Sequence, residues 1–138
     1  MNVLDRNGWT LSFAYLFSKS EVHSSKKRPE LEGKLLAQVP KHRFQSALRY
    51  THAHIADIYI SFQYVGKQFE DDLNSLDLSP TATVDMAVGK ELSPRYHLFV
   101  NLENLIDSEI EVGRSAGQVS IGAPRRVFVG VHAKIGTK

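Results

Sequence analysis

A strict period of two runs through six stretches of this chain, and it commits them to β-strands rather than helices. From Trp9 to Phe17 one parity is Trp9, Leu11, Phe13, Tyr15 and Phe17, and the other is Thr10, Ser12, Ala14 and Leu16. Residues 43–51 set Phe44, Ser46, Leu48 and Tyr50 against Arg43, Gln45, Ala47, Arg49 and Thr51. Residues 57–65 set Ile58, Ile60, Phe62 and Tyr64 against Asp57, Tyr59, Ser61 and Gln63. The same alternation returns over 81–89, 96–104 and 126–135, where Val127, Val129, Val131, Ala133 and Ile135 form the final apolar row. Residues 28–39 have some helical propensity, but Pro29 and Pro40 bracket them and no helix competes. The fold class is all-β, with about six antiparallel up-and-down strands.

Alternation alone suits a soluble barrel or sandwich as well as a membrane barrel. Three features separate them. No charged residue stands on the apolar parity of any of the six runs, where a Lys or Arg costs about 2–4 kcal/mol at a bilayer midplane. The other parity carries Arg43, Arg49, Asp57, Asp85, Glu103, Arg126 and Lys134, a poor interior for a small soluble barrel but an ordinary one for a wet or plugged lumen. The connections also alternate in length: those near 18–41, 66–80 and 106–123 are long, while His52–His54 and the stretch near Glu91–Arg95 are short. Outer-membrane barrels have short periplasmic turns and longer outer loops. Lastly, aromatics gather at the run ends, with Trp9, Tyr50 and Tyr96 toward the short turns and Phe17, Phe44 and Tyr64 toward the long loops. That is a double girdle. The competing expectation is a free-standing soluble β-barrel or sandwich that binds a protein partner or a small apolar ligand, with its apolar parity turned inward.

Composition removes other classes. The 138 residues carry 17 basic and 15 acidic side chains, for a net charge of +2, with no basic stripe suited to nucleic acid. The single basic cluster, Lys26-Lys27-Arg28, reads as a solvated loop. There is no cysteine, hence no disulfide framework or thiolate site. The first residues, Met1 to Gly8, have no apolar segment of the kind a signal peptide needs, so none is expected in this chain.

The candidate sites read as structural. His52-Ala53-His54 has imidazoles that suit a metal, but a polar turn between two strands explains them, and no metal site is expected. Glu70-Asp71-Asp72 with Asn74 offers oxygens suited to calcium, yet lacks the spaced carboxylates of an EF-hand and reads as a solvated loop. No nucleophile elbow occurs, no catalytic residue is assigned, and neither an enzyme nor a cofactor is expected. Matching apolar parities across the first short turn opposes Phe44 to Phe62, Ser46 to Ile60 and Leu48 to Ile58, which sets Arg49 across from Asp57.

The order of short motifs toward the C-terminus resembles the end of the TonB-dependent receptor family. Val39-Pro40-Lys41-His42-Arg43 is similar to the proline-led start of one of their strands. Asn104-Leu105-Ile106-Asp107 is similar to the Asn-Leu-aromatic-Asp phrase that closes their penultimate strand, and Gly122-Ala123-Pro124-Arg125 to the Gly-x-Pro-Arg that begins the last. The resemblance spans residues 8–136. It implies that the whole of 1–138 is the C-terminal part of a large transmembrane β-barrel, about twenty-two strands around a plug in the full receptor. It further implies residence in the outer membrane, contact with its lipid, and uptake of a scarce ligand such as a ferric siderophore or cobalamin. TonB would be engaged only through the plug-bearing portion, which this chain does not carry. Ligand contacts would come from the three long loops, and Asn104, Leu105, Asp107, Gly122, Pro124 and Arg125 would be structural. Family members commonly end on an aromatic that the barrel-assembly machinery recognises. Ile135 takes that place in the alternation here, which puts this recognition in doubt.

Overall fold

The computed structural model describes residues 7–52 and 55–136. Its strands are β1 (Asn7–Phe17), β2 (His42–His52), β3 (Asp57–Val65), β4 (Gln68–Phe69), β5 (Asp77–Leu78), β6 (Thr81–Ser93), β7 (Tyr96–Glu103), β8 (Glu111–Ser115), β9 (Gln118–Ile121) and β10 (Arg126–Ala133). Six of them form one antiparallel meander in the order β1-β2-β3-β6-β7-β10. The other four pair as two small ribbons, β4 with β5 and β8 with β9, inside the second and third long connections. A single 3-10 turn, Pro29–Leu31, is all that the helical propensity of the first long connection yields.

Two sides follow from the alternation. Thr10, Arg49, Tyr59, Asp85, Ala87, Asn101 and Arg126 border cavities of about 480 and 740 Å³, so the sheet curls toward its polar side. The apolar parity covers the convex side and is open: Trp9 is 67 % exposed, Phe13 65 % and Val129 67 %. The one large apolar side chain that is fully buried among the described residues is Leu78, which lies in a loop ribbon and not beneath the sheet. A soluble sandwich would turn its apolar parity inward over a shared core. This sheet does the reverse.

The ladder is offset partway across. Asp57 of β3 pairs with Gly89 of β6, yet β6 continues to Ser93 before turning into β7. At the other end Thr81 to Asp85 lie beyond the β7 ladder, which begins at Met86↔Leu102. The β6–β7 hairpin is thus displaced along the strands relative to β1–β3. Such a stagger is what tilted strands need in order to close into a barrel.

Three expectations require correction. Phe44 opposes Tyr64, Ser46 opposes Phe62 and Leu48 opposes Ile60, so Arg49 faces Tyr59, and Asp57 faces Thr51. The anticipated register is off by two residues. A shift of two preserves both faces, so alternation cannot detect it. The turn decides it, with the His52 N–H donating to the Ala56 carbonyl and the Ile55 N–H to the His52 carbonyl. The second correction concerns charge: the longer β6 brings Lys90 onto the apolar parity, opposite Leu98. Lys90 lies close to the short turn, where a long aliphatic stem lets the ammonium reach water. The third is at strand ends, since β7 stops at Glu103 and β10 at Ala133, leaving Ile135 97 % exposed outside the ladder.

The convex aromatics contact one another across strands. Trp9 and Tyr50 have ring centroids 4.5 Å apart, and Phe44 bridges Phe13 at 6.3 Å and Phe62 at 6.0 Å. Such pairs contribute about 0.2–1 kcal/mol each relative to alanine. On the concave side Phe99 lies directly over Gly130, its partner on β10, and a Cβ there would collide with the ring. Gly130→Ala is therefore expected to weaken the β7–β10 pairing by about 1–3 kcal/mol. The urea midpoint of the chain held in detergent reads the effect, and Gly8→Ala, where the added Cβ meets open space, is the control.

Candidate functional site

The three long connections meet at one end of the sheet and bind one another. Asn74, which takes a left-handed backbone (φ 57°), accepts the Leu35 N–H at 2.7 Å and donates to the Leu35 carbonyl at 2.8 Å. Asn pays little for that conformation because its short polar side chain bonds locally. Gln38 donates its backbone N–H to the Phe69 carbonyl at 2.7 Å and its amide to Glu70 at 3.1 Å. Ser79 donates its N–H to Glu111 at 2.8 Å, which ties the second connection to the third. The 18–41, 66–80 and 106–123 loops are therefore one cross-linked cap.

The acidic run is absorbed in that cap. Asp71 accepts from the Ser75 N–H, the Ser75 hydroxyl and the Leu76 N–H, at 2.9, 2.7 and 2.7 Å. Asp72 pairs with Arg28, and Glu70 with Gln38. Of the His52-Ala53-His54 pair, Ala53 and His54 lie outside the described residues.

Two of the three family-like motifs, 104–107 and 122–125, converge on one corner. β7 ends because Asn104 adopts φ 51°, and Asp107 follows at φ 56°. Asn104 is 4 % exposed: its side chain accepts the Ser108 N–H at 2.9 Å and donates to the Ser108 carbonyl at 2.8 Å. Its amide also reaches the Ala123 carbonyl at 3.4 Å, while its backbone N–H donates to Asp85 at 2.9 Å. The Leu105 N–H donates to the Val84 carbonyl at 2.7 Å, extending the β6 ladder where β7 no longer runs. Asp107 accepts the Arg125 N–H at 3.1 Å, and the Arg125 guanidinium stands 3.6 Å away. Gly122 donates its N–H to the Ile110 carbonyl, and a Cβ there would press on Val112 at 3.1 Å. Pro124 borders the cavity beside Asn104. Asn104, Asp107 and Gly122 thus hold backbone at this corner.

The concave wall carries further polar groups. The Arg49 guanidinium lies 5.7 Å from the Tyr59 ring centre, and Glu103 and Arg126 form an ion pair across β7 and β10. His97 and His132 stand directly opposite each other. Sequence reasoning passed over that pair, since each histidine merely falls on the polar parity and only the β7–β10 register makes them neighbours. It also missed the β8–β9 ribbon. Its turn, Ala116-Gly117, takes φ 48° and 78°, and the usual Asn or Gly signal is absent at the first position.

Two outcomes follow. Asn104→Ala removes the side-chain partner of the half-buried Ser108 backbone groups, which costs about 1 kcal/mol, and frees the corner. Amide exchange at Ser108 and Leu105 should rise while exchange at the β1–β2 ladder does not. The second outcome is set by pH. The Ser79 N–H, followed by Arg114, holds the Glu111 carboxyl below its ordinary value of 4.5. A depressed folded value means that this docking is fully present above 4.5 and is lost as pH falls through the lower folded value. The Ser79 amide resonance, followed downward from about pH 6, should therefore hold steady at first and move only in the acid range.

No protein-family model matches this sequence, and no curated relative does. Solved structures do match. The siderophore receptor PiuA from Acinetobacter baumannii aligns over 95 % of this chain and 20 % of its own, at 17 % identity and TM-score 0.75. The ferric yersiniabactin uptake receptor FyuA from Yersinia pestis aligns over 90 % of this chain and 20 % of its own, at 21 % identity and TM-score 0.75. The ferric citrate transporter FecA in its unliganded form gives 90 %, 21 %, 15 % identity and TM-score 0.77. The chain spans about a fifth of the length of these proteins. It has the fold of a six-strand segment of a TonB-dependent receptor barrel.

Proposed function

We propose that this chain, over the whole of 1–138, is the C-terminal portion of the barrel of a TonB-dependent outer-membrane receptor. It would serve active uptake of a scarce ligand such as a ferric siderophore or cobalamin, and it would catalyse no reaction. The observation that carries this reading is the inverted sheet, with its open apolar convex side and its polar, charge-bearing concave side. Lipid is the solvent that suits the first, and a plugged or watered lumen suits the second. The likeness to receptors and a transporter supports the transport class. On this reading the short turns are periplasmic and the cross-linked cap is the outer surface, where a ligand arrives. Asn104, Leu105, Asp107, Gly122, Pro124 and Arg125 fix the last hairpin against the cap. TonB would act through the plug portion of the full receptor.

The six strands transport nothing by themselves. β1 and β10 are the sheet's two edges, each with a neighbour on one side only. Unpaired backbone groups cost several kcal/mol each in lipid. In water they template edge-to-edge association, which the open apolar side makes worse. Size-exclusion chromatography with light scattering is expected to show aggregates in plain buffer and dispersed particles in detergent. A compact, stable monomer in plain buffer would overturn the proposal.

A further inference from the structure

We propose that His97 and His132 form a binding site for a divalent transition metal of the copper, nickel or zinc type on the concave wall near the short-turn end. The two residues are register partners on β7 and β10, so their side chains leave the same side of adjacent strands. Their ring centroids are 6.0 Å apart. Two imidazoles that share an ion through bonds of about 2.0–2.1 Å place their ring centres on the order of 5–6 Å apart. The spacing suits a shared ion once the His97 ring, whose Nε2 now lies over Gly89 of β6, turns about its side-chain bonds toward β10.

The surroundings leave both imidazoles available. Neither ring donates or accepts a hydrogen bond among the described residues. The His132 ring rests against Phe99 at 5.0 Å, which gives it a wall to turn on. The His97 ring lies over Gly89, where the missing side chain leaves it room. Glu91 is the register partner of His97 on its other side, so a carboxylate follows the two imidazoles along one row of the ladder. Among the described residues no three such ligands are already gathered. The site is therefore two imidazoles with open positions, which water or Glu91 would fill. Imidazole pairs select copper, nickel and zinc over magnesium or calcium, which prefer oxygen. An ion held there would tie the last strand to its neighbour.

The test uses the full chain refolded in detergent, titrated with Cu2+ and followed by electron paramagnetic resonance and thermal melting. His52 and His54 are a competing pair, so all variants are made in a His52→Gln, His54→Gln background. The expected result is one Cu2+ per chain with a signal from two nitrogens, and a melting temperature that rises with the metal. His97→Gln or His132→Gln should weaken binding about tenfold or more, remove the two-nitrogen signal and abolish the thermal shift. Far-UV circular dichroism confirms that each variant keeps its sheet. Should a glutamine variant lose its sheet, the background protein still decides by its two-nitrogen signal and by competition with Mg2+, which should fail to displace Cu2+. Copper binding unchanged in both variants, or absent from the background protein, would overturn the proposal.

Discussion

Everything in this molecule depends on where backbone hydrogen bonds can be made. A sheet with a real core can leave its edges to water, but this sheet has none. Leu78 alone is fully buried among the large apolar side chains described, and it sits in a loop. Apolar burial therefore does not hold β1 to β2 or β7 to β10. The ladders do, helped by cross-strand pairs such as Trp9 with Tyr50. Such an arrangement gains its missing stabilisation from a solvent that accepts the convex side and from neighbours that complete the two edges. Both are properties of a membrane barrel.

The two ends of the sheet are built on different principles. At the short-turn end the hairpins close within a few residues, and no described residue there takes a positive φ. All seven that do lie at the long-loop end: Gly33, Gln38, Asn74, Asn104, Asp107, Ala116 and Gly117. Five of those are not glycine, and each such position carries strain unless local bonds compensate it. Asn104 supplies one to Ser108 and Asn74 one to Asp71, while Asn74 and Asp107 also bond across the loops, with Leu35 and Arg125. The strain is therefore concentrated where the loops must cross over and grip one another, while the large sheet departs from regular pairing at the shift between Glu91 and Ser93.

This division explains what was legible in the residues. Period two is a local property, so the strands of the large sheet and their two sides could be read directly. Register is not local: a shift of two residues leaves every side chain on its face, so alternation cannot tell the expected Phe44 to Phe62 pairing from the observed Phe44 to Tyr64. The charge rule for the apolar parity held only over the stretches first assigned to strands, and the extension of β6 to Ser93 introduced Lys90. Asn104 and Asp107 stood out as a phrase, but their partners Ala123 and Arg125 come from a segment near twenty residues downstream. The histidines on β7 and β10 gave no sign at all, because each is unremarkable until the ladder aligns them.

The stagger between β3 and β6 connects these observations. Because β6 begins well above the end of β7, its first residues pair with β3 but face no strand on the β7 side, where their carbonyls need other donors. Leu105 supplies one to Val84, and the Ser108 hydroxyl supplies one to Ala82 at 2.6 Å. Both donors are placed by the left-handed turn at Asn104, whose own N–H is capped by Asp85 of β6. The corner is thus the local solution to a global demand: tilted strands must be offset, and an offset strand exposes backbone that a turn has to cover. Asn104, Leu105 and Asp107 thus make their hydrogen bonds among the described residues to the sheet and to this corner.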